Sequence, residues 1–276
     1  MFYLFALLVV GMSSQMAGAW GFFSKKPENS VVSPRDWHNN VQKYEEMRKF
    51  LGSVVAQGHE PLIPEIKQAV KKIVGLMAKT PGIVGVPTEK EIFTQLLDDA
   101  VKQGALPLVK FITTECDVNL NSVVTLSKPN LLHSLEQKAK EQQVGPYQMA
   151  HGLFSLGLKP QHINVWDAQG QTALHYVARR MEIDGANASV TPEQFAAGMA
   201  SKGFKFEKAE DVEREYKGFT ELSKRRAQEW AAVGTLMLKL GGKNLKDKDG
   251  KTPEAILRDG KVEFNKKFAD HLKAAA

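Results

Sequence analysis

The chain predicts an all-α fold of short amphipathic helices stacked side by side. Three observations carry that prediction. Apolar residues recur at helical spacing in Ile66, Val70, Ile73 and Met77. Helix-start signals precede apolar runs: Thr88 with Glu91, Thr172 before Leu174, and Thr191 before Pro192. The composition, 43% hydrophobic and 25% charged over 276 residues, supports an ordinary globular core. Cys116 is the only cysteine, so packing rather than an internal disulfide framework must hold the fold. A buried structural thiol is the expected role of Cys116.

The elements follow in chain order. Residues 2–12 form an apolar run, and Ala17-Gly18-Ala19 supplies a small-x-small site. Residues 1–19 therefore read as a secretory signal peptide cut after Ala19, although its start carries no Lys or Arg. The run falls short of the about 20 residues a bilayer span needs, so no stable membrane span is expected after cleavage. An uncleaved anchor stays open. With no Cys near the cleavage site a lipoprotein is excluded, and the expected location is periplasmic or secreted.

Residues 20–32 read as a flexible polar tail, and 33–87 as an N-terminal helical hairpin. Ser33-Pro34 opens the first helix, which lines up Trp37, Val41, Tyr44, Leu51 and Val54. Pro61 and Pro64 punctuate it, and the helix of Ile66 to Met77 follows. The segment Pro81 to Pro87 reads as a hinge. Covering the open end of a stack is the hairpin's simplest purpose; a separate small module is the alternative. The capping box of Thr88 and Glu91 then opens residues 88–276.

The most specific stretch of the chain is Asp167-Ala168-Gln169-Gly170-Gln171-Thr172-Ala173-Leu174-His175-Tyr176-Val177-Ala178. Asp167 and Gly170 bracket a tight turn, Thr172 caps a helix, and Leu174, Val177 and Ala178 share one face. This resembles the start of an ankyrin repeat, a Gly turn followed by Thr-Pro-Leu-His-x-Ala. Weaker echoes lie around it. Downstream, Asp247 to Pro253 repeats the turn and helix start, but Glu254 and Ala255 stand where the family has Leu and His. That departure suits a terminal repeat. Leu236 to Gly242 with Asn244 resembles a helix end and its loop, as does Leu153 to Gly157 with Asn164. Upstream, Leu131-Leu132-His133-Ser134-Leu135 resembles the repeat core. Ala100 to Gly104, Leu108 to Ile112 and Asp117-Val118-Asn119 fit one more unit.

The resemblance implies an irregular ankyrin-repeat-like solenoid of three to four units, with an N-terminal helical cap and a helical insertion. It implies that His175 bonds the local Thr and the neighbouring turn rather than a metal or substrate. Thr172 and Thr252 are 80 residues apart, against a repeat period of about 33. An insertion is therefore expected at about residues 181–230. It should leave the stack after Arg180 and rejoin near Ala231. Within it, Thr191-Pro192 opens a helix, Gly203 stops it, and a second helix carries Val212, Tyr216 and Phe219, with Gly218 as a point of breakage.

Ankyrin arrays bind partners through finger turns and the concave face. The resemblance accordingly assigns surface binding positions to Ala168, Gln169, Gln171, Arg179 and Arg180, and to Lys248, Asp249 and Lys251 in the last unit. A non-catalytic, protein-binding, exported protein is the expected function, with no cofactor and no metal. A bacterial source is the analogy that export and few repeats bring. Two other classes stay open: an exported enzyme with its site in the insertion or the hairpin, and a structural envelope component.

Several partial motifs fail on chemistry. Gly250-Lys251-Thr252 ends like a phosphate loop, but Leu245 occupies the position of its first Gly. Asp247-x-Asp249-Gly250 lacks calcium ligands at Leu245 and Ile256. His59-Glu60 runs into Pro61, which breaks a zinc-protease helix. The net charge of +6 is spread among acids, and the aromatics sit at core spacing, so no nucleic-acid partner is expected.

Overall fold

A computed structural model of the protein describes residues 63–78, 88–122, 131–135, 144–206, 208–260 and 262–274. The expected signal peptide, the polar tail, the first hairpin helix with Trp37 to Val54, and the 81–87 hinge lie outside the described residues. Among the described residues the fold is all-helical, with no strand. In chain order the α-helices are α1 (Ile63–Ala78), α2 (Glu89–Lys102), α3 (Leu106–Glu115), α4 (Pro146–Ser155) and α5 (Ala173–Ala188). They continue as α6 (Pro192–Ser201), α7 (Ala209–Lys239), α8 (Pro253–Asp259) and α9 (Glu263–Ala274). Short 3-10 turns lie at Leu120–Ser122, Leu131–Ser134 and Pro160–Asn164.

The helices start where their caps dictate. At α2 the Glu91 N–H donates to the Thr88 hydroxyl (3.2 Å), and the Thr88 N–H to the Glu91 carboxylate (2.7 Å). Thr191 and Gln194 form the same reciprocal pair at α6, where Pro192 needs no donor. Thr252 caps α8 by accepting from the Ala255 N–H (3.1 Å). Four of the helices, α2, α4, α6 and α7, are followed by left-handed glycines: Gly104, Gly157, Gly203 and Gly241 all have positive φ.

Packing follows the apolar stripes. Ile66, Val70 and Ile73 of α1 are buried, and α1 lies on α2. The Lys67 ammonium reaches the Glu115 carbonyl at the end of α3 (3.1 Å), fixing α1 across the α2–α3 pair. One continuous apolar cluster then runs from α1 to α9, with Leu97, Ile112, Leu132, Leu153, Leu174, Met181, Met237 and Leu257 fully enclosed. Leu131-Leu132-His133-Ser134 enters this core as a 3-10 turn. Helices α5 and α7 pack most extensively against each other. A Cβ at Gly234 of α7 would lie 2.3 Å from the Phe268 ring of α9, which would have to give way.

The segment from 181 to 230 is not a loop hung on the stack. Helix α5 continues past Arg180 to Ala188, and α7 runs unbroken through Gly218 to Lys239. Gly218 meets nothing across its open side and is carried by the helix on either side of it. Two paired helices have thus been lengthened, and α6 closes their far end. There Phe195 contacts the rings of Phe206, Tyr216 and Phe219, and the Tyr216 hydroxyl donates to the Val190 carbonyl (3.1 Å). This small aromatic cluster is separate from the main core.

Two asparagines hold neighbouring helical pairs together in the same way. Asn121 accepts from the Lys159 N–H (2.8 Å) and donates to the Gly157 carbonyl (3.0 Å). Asn164 accepts from the Lys243 N–H (2.8 Å) and donates to the Gly241 carbonyl (2.9 Å). Each amide thereby satisfies the helix end of the following pair. At the upstream junction the bonding residue is Asn121 rather than Asn119. The latter turns inward on its own loop and accepts from the Asn121 N–H (2.9 Å). Asn244, last in the series, is folded back onto Glu254 of its own unit.

Candidate functional site

Two tight turns form one edge of the molecule. In the first, the Gly170 N–H donates to the Asp167 carbonyl, and the Gln169 and Gln171 N–H groups donate to Asp167 Oδ1 (2.8 Å each). In the second, Asp247 takes the same bonds from Gly250, Asp249 and Lys251. An aspartate is needed because its side chain replaces a backbone acceptor across the turn. The turns lie directly on each other. Gly170, at φ +71°, leaves room where a Cβ would be 2.9 Å from the Lys248 backbone nitrogen. The Lys248 ammonium donates to the Ala168 carbonyl.

Histidines join two helix starts to the turns that follow them. His175 Nδ1 accepts from the Thr172 N–H (3.0 Å) and lies 2.9 Å from the Thr172 hydroxyl, while its Nε2 faces the Lys251 carbonyl at 3.0 Å. Only a neutral ring protonated on Nε2 satisfies all of these. Burial holds its pKa below 6.5, against the pull of the Lys251 carbonyl and nearby Asp247. His133 Nε2 faces the Gln171 carbonyl at 3.1 Å, the same relation one unit earlier. Its ring also meets Tyr176 edge-on, and the Tyr176 hydroxyl donates to Asp167 Oδ2 (2.7 Å). Burial raises the Asp167 pKa, but the bonds from Tyr176, Gln171 and Gln169 outweigh it and leave the carboxyl below its ordinary value.

The last unit departs from this scheme for a physical reason. Ala255 stands where His175 would recur, and among the described residues no turn follows for a histidine to bond. Ile256 stands where Tyr176 would recur, and Asp247 Oδ2 is left buried without a partner.

The expected surface residues divide in two. Ala168, Gln169, Lys248, Asp249 and Lys251 are exposed on the turns, and Arg179 is exposed one turn into α5. Lys251 also pairs with Asp259 (3.2 Å). Gln171 is half-buried, and its backbone is engaged on both sides by Asp167 and His133. Arg180 is half-buried as well, and its charge bears on Asp184. Asp184 is raised by burial between α5 and α7, a rise that Arg226, Arg180 and a bond from Trp230 oppose. Cys116 is half-buried, and burial pushes its thiol up.

Sequence reasoning missed Trp166. It is 56% exposed, the most open large apolar side chain among the described residues, with Val165 exposed beside it. Its signal was present: a large apolar residue between Asn164 and Asp167, outside any helical period, with Lys246 at the matching place of the second turn.

Among the described residues no group of three or more His, Cys, Asp or Glu is placed to hold a metal ion, and no helix is long and apolar enough to cross a membrane. No protein-family model matches the chain, and no curated protein matches it either.

Proposed function

We propose that the protein is an exported, non-catalytic binding protein built as an irregular ankyrin-like array. Its finger turns and the adjoining face of α5 receive a protein partner. One observation carries this reading. The Asp167 and Asp247 turns repeat the same internal bonds, are joined by His175, and hold Ala168, Gln169, Lys248 and Asp249 exposed on a rigid edge. Rigid turns with unconstrained tips suit recognition because little entropy is lost on binding. The helical pairs linked through Asn121 and Asn164 support the array. The helical lengthening at 181–230 is a lateral elaboration of one unit in this reading.

The test is site-specific photocrosslinking in the native cell. A photoreactive residue at Ala168, Gln169 or Asp249 should trap one common protein. The same residue at Gln148, exposed on α4, should not. Equal trapping at Gln148, or none at the turns, refutes the assignment.

A further inference from the structure

The finger edge carries an excess of lysine. Residues 159–171 and 241–251 carry five lysines, Lys159, Lys243, Lys246, Lys248 and Lys251, against three aspartates. Two of those aspartates, Asp167 and Asp247, are buried and bound into the turns. Asp249 is the only acidic side chain these segments leave exposed. Lys251 has Asp259 as an ion-pair partner and Lys248 is held by the Ala168 carbonyl, while Lys159, Lys243 and Lys246 are exposed and form no ion pair among the described residues. Some exposed charges on the helices pair within their own element, as in Lys217 with Glu213 and Arg258 with Glu254. Trp166 and Val165 stand open in this basic edge.

We infer that the edge binds an acidic, extended segment of a partner protein, with one apolar side chain of that segment seated on Trp166. This rests on the binding reading above and names the partner's chemistry. An open indole is an anchor of the kind that dominates interface energies. Unpaired lysines around it select carboxylates and speed their encounter. Neither half suffices alone: lysines without the anchor give weak, salt-screened attraction, and the anchor without them does not choose among apolar segments. Trp166 stands at the place Lys246 occupies in the next turn, so the two lie along the same edge.

The experiment is selection of a random twelve-residue peptide display library on the full chain. Control arms use the Trp166→Ala and the Lys243→Glu/Lys246→Glu variants and a fluorescent single-stranded oligonucleotide. Both variants alter exposed side chains, and unchanged melting temperatures verify their folding. The expected result is enrichment of net-negative peptides that carry an aliphatic or aromatic residue. Trp166→Ala should weaken them by about tenfold or more, as loss of an interface anchor does. The lysine variant should weaken them similarly, and added salt should weaken binding to the native chain. Neutral or basic winners, winners indifferent to Trp166→Ala, tighter binding of the oligonucleotide, or no enrichment would each overturn the inference. The photocrosslinking result decides the binding reading independently.

Discussion

Replacing His175 by alanine removes the joint between two turns, and its cost can be worked from the atoms involved. The Thr172 N–H loses the Nδ1 acceptor in a fully buried site, which costs about 1–3 kcal/mol for an orphaned donor. The Lys251 carbonyl loses the Nε2–H donor, worth about 1 kcal/mol. The vacated ring space adds about 1 kcal/mol of lost packing. The expected destabilisation is about 3–5 kcal/mol by urea unfolding monitored by helical circular dichroism. Ala255→His places the same ring after the Asp247 turn, where among the described residues no turn follows to accept its proton, and should change stability by less than about 0.5 kcal/mol. The pH dependence gives an independent check. A ring whose folded pKa lies below 6.5 takes up its proton later than the unfolded chain does. Its contribution is therefore complete above pH 6.5 and declines as the pH falls below it; in His175→Ala that decline should be smaller. If His175→Ala loses less than 1 kcal/mol, or Ala255→His gains or loses as much as His175→Ala, the turn-to-turn argument is wrong.

Other expectations follow from the same geometry. Leu174→Ala, at a fully buried core position, should cost about 2–5 kcal/mol in urea unfolding, while exposed Gln169→Ala should leave the melting temperature unchanged. Burial raises the Asp99 carboxyl from 3.8 to about 6, with Lys102 opposing and Asp98 adding. The folded chain thus holds this proton more tightly than the unfolded one, and the cost of charging is full above pH 6 and vanishes toward pH 4. Asp99→Asn should accordingly stabilise by about 1–2 kcal/mol at pH 7.5 and by nothing measurable at pH 4. Ile256→Tyr should give the orphaned Asp247 Oδ2 a donor and raise stability by about 1 kcal/mol; a fall in melting temperature would contradict it. Phe195→Ala should speed hydrogen exchange across α6 and the first turns of α7 while the main unfolding transition stays in place.

Much of this fold was legible because local chemistry decided it. Thr88, Thr172, Thr191 and Thr252 each announced a helix, and each does cap one. The Asp–Gly spacing gave both turns, and the apolar stripe of α1 was visible in its period. Other features depended on partners distant in sequence. Nothing local distinguishes Asn121 from Asn119; the choice follows from which amide meets the Gly157 helix end. Ala255 read as a departure from a motif, whereas among the described residues a histidine there would have no following turn carbonyl to bond. Gly218 read as a breaker, yet the helix passes through it because both flanking segments are anchored, at Tyr216 and at Trp230. Of the site, the tips at Ala168, Gln169 and Asp249 were legible from turn register. Trp166 was not, because a residue outside any periodic pattern gives no sign of whether it is covered.

The histidine joint runs in one direction. The units of His133 and His175 each reach forward from a helix start to the carbonyl of the following turn, and the Asp247 unit receives such a bond with Ala255 at the place that would give one. Stability should then be graded along the chain, with α8 and α9 opening before the segments that precede them. The terminal unit therefore acts as a fuse. Partial opening there would release the Lys251 carbonyl and slacken the Asp247 turn, while the Asp167 turn, braced by Tyr176 and His133, stayed in shape. On the proposed binding reading, such opening would erode the finger edge from the Asp247 turn inward, and that turn is flanked by Lys243, Lys246, Lys248 and Lys251.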